Sequence, residues 1–169
     1  MFLKLFEEKL NIGSSILKVS QTEIFSKGIK FLLLDVDGTL LPREEINVHI
    51  KVKEWINNAK SYFQIHLISN NPSKKRIKYI AEQLDLTYTY RANKPSRKKI
   101  EDYILNSNAK PDEVAIIGDR IFTDIIAGNR LGLYTILVKP IKANGTSNDN
   151  YKVEKIERRI TQIIGAIMK

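Results

Sequence analysis

Two aspartates, Asp35 and Asp37, lie two residues apart directly after the apolar run Phe31-Leu32-Leu33-Leu34. On an extended chain the side chains at i and i+2 leave from one face, roughly 6–7 Å apart. Two carboxylates so placed can hold a divalent cation and still divide the duties of nucleophile and acid/base. Gly38 and Thr39 follow at once, a pair suited to the turn after a strand. An acid pair at a strand end also serves as an ordinary turn, so the neighbouring motifs have to decide. Three more polar residues occupy equivalent places: Ser69 closes the apolar run 62–68, and Asp119 closes Val114-Ala115-Ile116-Ile117-Gly118. Lys94, in Ala92-Asn93-Lys94-Pro95-Ser96, follows the short β-rich segment 87–90 and precedes a helix. Ligands of open α/β sheets bind beyond the carboxyl ends of the strands, where the strand order reverses. The pattern therefore gathers four functional groups on one edge.

The elements that must carry them follow from hydrophobic periodicity. The spacing predicts a helix over 2–19, with Phe2, Leu3, Phe6 and Leu10 on one face and Gly13 as its stop. Strands are expected at 31–35, 62–68, 87–90, 113–118 and 134–138. Helices are expected at 44–60, with a stripe of Ile46, Ile50, Trp55, Ile56 and Ala59, and after Asn71-Pro72-Ser73, with Ile77, Ile80, Ala81 and Leu84 inward. Further helices are expected from Pro95-Ser96 to about 107 and over 121–131, the latter ended by Gly132. A polar loop, 142–150, leads to a final helix whose row of Val153, Ile156, Ile160, Ile163, Ile164 and Ile167 reads as core or partner packing. His49 and His66 stand alone, without a partner at metal-ligand spacing, and read as structural or surface residues.

Alternating strands and helices make the class α/β, a three-layer Rossmann-like domain on a mainly parallel five-stranded sheet. The 169 residues form one domain: a helical extension at 1–29, a motif-bearing core at 30–140 and a C-terminal helix at 151–168. Between Asp37 and Ser69 there is room for one turn, one helix and one strand, and between Ser69 and Lys94 for a helix and a short strand. Neither interval holds a cap domain, so the site should open to solvent. That suits a substrate too large for a closed pocket, or a site roofed by another subunit.

Composition narrows the function further. No apolar tract is long enough to span a bilayer, and the acids Glu7 and Glu8 interrupt anything resembling an export signal. With no cysteine there are no disulfides, thiolate metal sites or phosphocysteine chemistry, which fits a cytoplasmic protein. The net charge of +9 is concentrated: residues 71–110 hold ten Lys/Arg against four acids. Such a field favours phosphorylated substrates, anionic lipid headgroups or nucleic acid.

Together, Asp35-x-Asp37-Gly38-Thr39, the strand-terminal Ser69, Lys94-Pro95-Ser96 and Gly118-Asp119-x-x-x-Thr123-Asp124 resemble the four ordered motifs of haloacid dehalogenase-like (HAD) phosphotransferases. Among the capless members the chain is similar to the YqeG family of IIIA-type phosphatases, related to phosphatidylglycerophosphate phosphatases. Ser69-Asn70-Asn71, Asn93-Lys94-Pro95 and the segment from Gly118 to Asp124 carry that similarity, extended by the segment from Gly128 to Val138. The resemblance implies Asp35 as nucleophile, Asp37 as acid/base, and Mg²⁺ held by Asp35, Asp119 and the Asp37 carbonyl. It implies phosphate binding by Ser69, Asn70 and Lys94, with Gly38, Thr39 and Asp124 in support. The implied substrate is phosphatidylglycerophosphate or a related lipid phosphate, reached from the inner face of a membrane. Lys/Arg at 74–78 and 97–99 are the segments expected near headgroups; the amphipathic first helix is expected to pack on its own domain, with the membrane interface as the alternative. Two other readings stay open: a capless sugar-acid phosphatase, and a basic RNA- or ribosome-binding module with vestigial catalysis.

Overall fold

The computed structural model describes residues 2–148 and 152–167. The end of the expected polar loop and positions 151 and 168 of the expected last helix lie outside the described residues. The side chains of Phe2, Leu3, Ile164 and Ile167 lie outside them too. Among the described residues, six parallel strands form one sheet in the order β1-β6-β5-β2-β3-β4. They are β1 (Leu10–Asn11), β2 (Phe31–Leu34), β3 (Gln64–Ile68), β4 (Thr87–Thr89), β5 (Val114–Gly118) and β6 (Tyr134–Leu137). From the central β2 the chain builds outward through β3 and β4, then returns to β5 on the opposite side. The reversal falls between β2 and β5.

Both faces of the sheet are covered, so the central strands can be apolar throughout. Leu32 and Leu34 join Ile56, Ile77, Ile80 and Ile117 in one core, beneath α2 (Ile50–Ala59) and α3 (Lys74–Leu84). Phe31 and Leu33 alternate to the other face and meet Ile100, Ile104 and Ile116 beneath α4 (Lys98–Asn106). The smaller helices are α1 (Gln21–Ser26) and α5 (Ile126–Asn129), and α6 (Lys152–Ile167) is the last element. One turn of π-helix, Ile121–Ile125, precedes α5 within the helix expected over 121–131.

The sheet has six strands where five were expected, and the sixth comes from the segment read as helix 2–19. Phe2–Phe6 is a 3-10 turn; then Leu10–Asn11 runs beside β6, with Lys9 N–H donating to Thr135 O and Ile12 N–H to Leu137 O, both at 3.0 Å. The backbone turns away at Gly13, whose φ is +63°. A short apolar run satisfies helix and strand periodicity alike, and an open sheet edge captured this one. Phe6 packs edge-on to Phe122, ring centroids 5.9 Å apart, so it faces protein and not a membrane.

α2 starts at Ile50 and not near 44, leaving Ile46 and Ile50 exposed. Three side chains of α3 explain the delay. Arg76 donates to the carbonyls of Arg43 (2.8 Å) and Glu45 (2.6 Å), Gln83 donates to that of Ile46 (2.7 Å), and Tyr79 reaches Asn47 (3.4 Å). Carbonyls engaged this way are held in a loop rather than in a helical turn.

His66 is buried on β3 between the Thr87 and Thr89 hydroxyls, at 2.7 and 2.9 Å, and stacks on Tyr103. Burial pushes its imidazole down to about 4. Because the unfolded chain protonates near 6.5 and the folded one only near 4, stability falls as pH drops through that window. The loss is on the order of 2–3 kcal/mol. Urea midpoints of wild type and His66→Gln should converge toward pH 4; parallel curves would contradict a neutral buried imidazole.

Candidate active site

Register aligns the strand ends. Leu34 pairs with Leu67 on one side and Ile117 on the other, so Asp35 is level with Ile68 and Gly118. Ser69 and Asp119 each come one residue later. With strands roughly 4.8 Å apart, these polar residues converge at the strand-order reversal on a cavity of about 350 Å³. Asp35, Asp37, Ser69, Asn70, Lys94 and Asp119 all line it.

At its floor Lys94 is buried, with 1% of its side chain exposed. Its ammonium donates to Asp35 Oδ1 (2.6 Å), Asp124 Oδ1 (2.6 Å) and the Ile68 carbonyl (2.7 Å). Three donors meet three acceptors. The two carboxylates hold its pKa above the ordinary lysine value, against the cost of burial. Lys94 thus grips the leading carboxylate from below. Asn70 fixes the lysine's backbone from both sides: its Oδ1 accepts from Lys94 N–H at 2.7 Å and its Nδ2 donates to Lys94 O at 2.9 Å. Ser69 Oγ accepts from Asn71 N–H at 3.1 Å and so shapes the turn.

Asp35, Asp119 and Asp124 each present an oxygen within 4.8 Å of the others. Burial pushes Asp35 up to about 7, with Lys94 opposing and Asp124 reinforcing. Burial raises Asp119 well above the usual carboxylate range, and the fields of Asp35 and Asp124 add to it. Asp119 Oδ1 is buried without a hydrogen-bond partner among the described residues. Three clustered carboxylates with one ammonium between them, and an orphaned oxygen on the third, fit a hard divalent cation with oxygen ligands. Two glycines leave the room: a Cβ on Gly38 would stand 2.6 Å from Asp119 Oδ2, and one on Gly118 would stand 2.3 Å from Asp124 Cγ. The expected role of Asp124 was support; it stands among the clustered acids, also accepting from Arg120 N–H at 3.2 Å. Thr39, another expected support, is fully buried.

Asp37 is not among those clustered acids. Asn71 Nδ2 donates to its Oδ2 at 2.8 Å, and Arg76 Nη2 lies 2.9 Å from its Oδ1. Neither partner was foreseen from sequence, where Arg76 counted only among surface bases. The signal available was a single arginine one turn into α3, on the same face as Tyr79 and Gln83.

This fold and constellation define a HAD-type phosphatase, as the comparisons with known proteins bear out. A family model described as mitochondrial PGP phosphatase matches residues 9–142, and the chain belongs to that family. It is 29% identical over 147 residues to the Bacillus subtilis "probable phosphatase YqeG", covering 86% of this chain and 84% of that one. It is 26% identical over 125 residues to the chloroplastic/mitochondrial phosphatidylglycerophosphate phosphatase 1 of Arabidopsis thaliana, covering 68% of this chain but 36% of the plant protein. The cobalt-bound deoxy-D-mannose-octulosonate 8-phosphate phosphatase of Haemophilus influenzae shares the fold. Its TM-score is 0.55 at 15% identity, with 83% of this chain and 89% of that one covered.

Proposed function

We propose that the protein is a Mg²⁺-dependent phosphomonoesterase working through an aspartyl-phosphate on Asp35, with phosphatidylglycerophosphate or a similar anionic lipid as substrate. The observation that carries the reaction is the Asp35, Asp119 and Asp124 cluster over Lys94, with Asp37 held apart from it on the same cavity. The substrate reading is supported by the names of the family and of the plant relative, and by the uncapped cavity.

Asp35 has one oxygen on Lys94, which leaves Oδ2 to attack phosphorus. As the new O–P bond forms and the ester bond breaks, the Asp37 carboxyl gives its proton to the leaving oxygen. Water then attacks the phosphorus, Asp37 takes the proton, and the Asp35–phosphorus bond breaks to free phosphate. Asn71 and Arg76 hold Asp37 in place between the two proton transfers. Bound through Asp35, Asp119 and the Asp37 carbonyl, with Asp124 beside them, Mg²⁺ would offset repulsion between these carboxylates and the phosphate dianion.

The test is phosphate release from phosphatidylglycerophosphate and from soluble sugar phosphates, with Mg²⁺ or with chelator. Lipid-selective, chelator-sensitive turnover that drops at least about a thousandfold in Asp35→Asn is expected. Preference for a soluble sugar-acid phosphate would remove the lipid reading and leave the reaction standing. Turnover that survives Asp35→Asn would remove the nucleophile.

A further inference from the structure

The last helix carries its apolar side outward. In α6, Glu157 is buried: its Oε2 accepts from Ile121 N–H at 2.8 Å, and its Oε1 faces the Arg120 guanidinium at 3.4 Å. Its neighbour Arg158 reaches Glu8 at 2.6 Å. These contacts fix which side of the helix meets the body. Ile156, Ile160 and Ile163 lie elsewhere, 53%, 39% and 59% exposed, so of the expected core or partner packing the core is not what these positions meet. At roughly 100° per residue the three fall within about 60° of one another. Lys152, Lys155 and Arg159, all exposed, run along one edge of the stripe. A lone exposed isoleucine is ordinary. Three on one helix face, edged by cations, match a helix that lies in the plane of a membrane interface.

We propose that α6 docks the protein on an anionic membrane surface. The isoleucine stripe enters the boundary between headgroups and acyl chains, and Lys152, Lys155 and Arg159 face the lipid phosphates. A second copy of the chain is the other occupant to weigh. In a two-fold pair of antiparallel helices each edge meets its own copy, which would set three cations against three. Anionic lipid removes that repulsion. The helix is also tied to the active site, because Arg120, which meets Glu157, lines the cavity, as does Asn148 just ahead of α6. Docking there would set the cavity beside the lipid surface. The inference stands on the helix's own geometry and does not depend on the lipid-phosphate reading.

Flotation with vesicles of phosphatidylcholine alone, or mixed equally with phosphatidylserine, tests it. Phosphatidylserine carries no phosphomonoester, so retention cannot come from substrate recognition in the cavity. Wild type should float with the mixed vesicles and much less with phosphatidylcholine. The triple variant Ile156→Gln, Ile160→Gln, Ile163→Gln should bind at least about tenfold more weakly. Lys152→Gln, Lys155→Gln, Arg159→Gln should lose about a hundredfold, and wild-type binding should weaken with salt. Both variants should hydrolyse a soluble phosphomonoester at the wild-type rate, which reports an intact fold and site. Equal flotation of wild type and the isoleucine variant would overturn the proposal. So would a wild-type dimer that the isoleucine variant dissolves while vesicles retain neither.

Discussion

Replacing Lys94 by methionine should abolish phosphatase activity and lower stability by about 3–5 kcal/mol at neutral pH. Methionine keeps the apolar stem and removes the three donors that now satisfy Asp35, Asp124 and the Ile68 carbonyl. The acids Asp35, Asp119 and Asp124 would then face one another with no cation among them. Coulomb repulsion at such separations in a water-poor site is large, so the carboxylates would respond by holding protons. A protonated Asp35 cannot attack phosphorus, and that ends the reaction. The pH dependence has a definite sign. Lys94 has its pKa raised by the fold, so its contribution is present throughout the range below about 10.5 and is lost only above it. Asp35 and Asp119 are already raised in the wild type against the opposing charge of Lys94, and without it they rise further, so the variant's stability falls more steeply as pH climbs above the usual aspartate range. The gap between wild type and variant therefore widens from acid to neutral pH. Urea midpoints compared near pH 4.5 and pH 7.5 measure it, with pH values chosen roughly to bracket carboxylate titration. A gap of equal size at both would show that Lys94 is not the counter-ion of the cluster. Lys94→Arg should fare little better, since a planar guanidinium does not fit a slot where 1% of the side chain is exposed.

Why the catalytic edge was legible is visible in β2 and β5. Each is an apolar run that ends on an acid, and buried parallel strands have few other places for one. What escaped depends on contacts between distant segments. Asn71 and Arg76 bind Asp37 only because α3 packs beside the loop after β2, across more than thirty residues of chain. No local pattern separates Arg76 from the exposed bases around it. The same holds for β1: Leu10–Asn11 is a strand because β6 offers an unpaired edge, and its own residues favour nothing in particular. Whether the isoleucines of α6 face core or partner was undecided for a related reason. Periodicity states that a helix has an apolar face, whereas Glu157 and Arg158 decide which way that face turns.

Asp119→Asn should change stability in the opposite direction to the lysine variant. Asp119 is 2% exposed, and its Oδ1 is among the buried side-chain oxygens without a hydrogen-bond partner. Burial, then the charges of Asp35 and Asp124, raise its pKa well above the ordinary value. The unfolded chain ionises this residue more readily than the folded one, so from about pH 4 upward its charge subtracts from stability. Asparagine has nearly the same shape and never carries the charge. In chelator at neutral pH the variant should therefore be more stable by about 1–3 kcal/mol. In a chain of this size that is roughly 3–10 °C in Tm. Activity should nonetheless be lost, because the removed carboxylate is the one left uncompensated for a cation. Added Mg²⁺ separates this account from a simple packing effect. It should raise the wild-type Tm by mass action and leave that of Asp119→Asn where it was. If Asp119→Asn is instead less stable than wild type in chelator, the carboxylate is held by protein contacts, and its place as a cation ligand falls with that result.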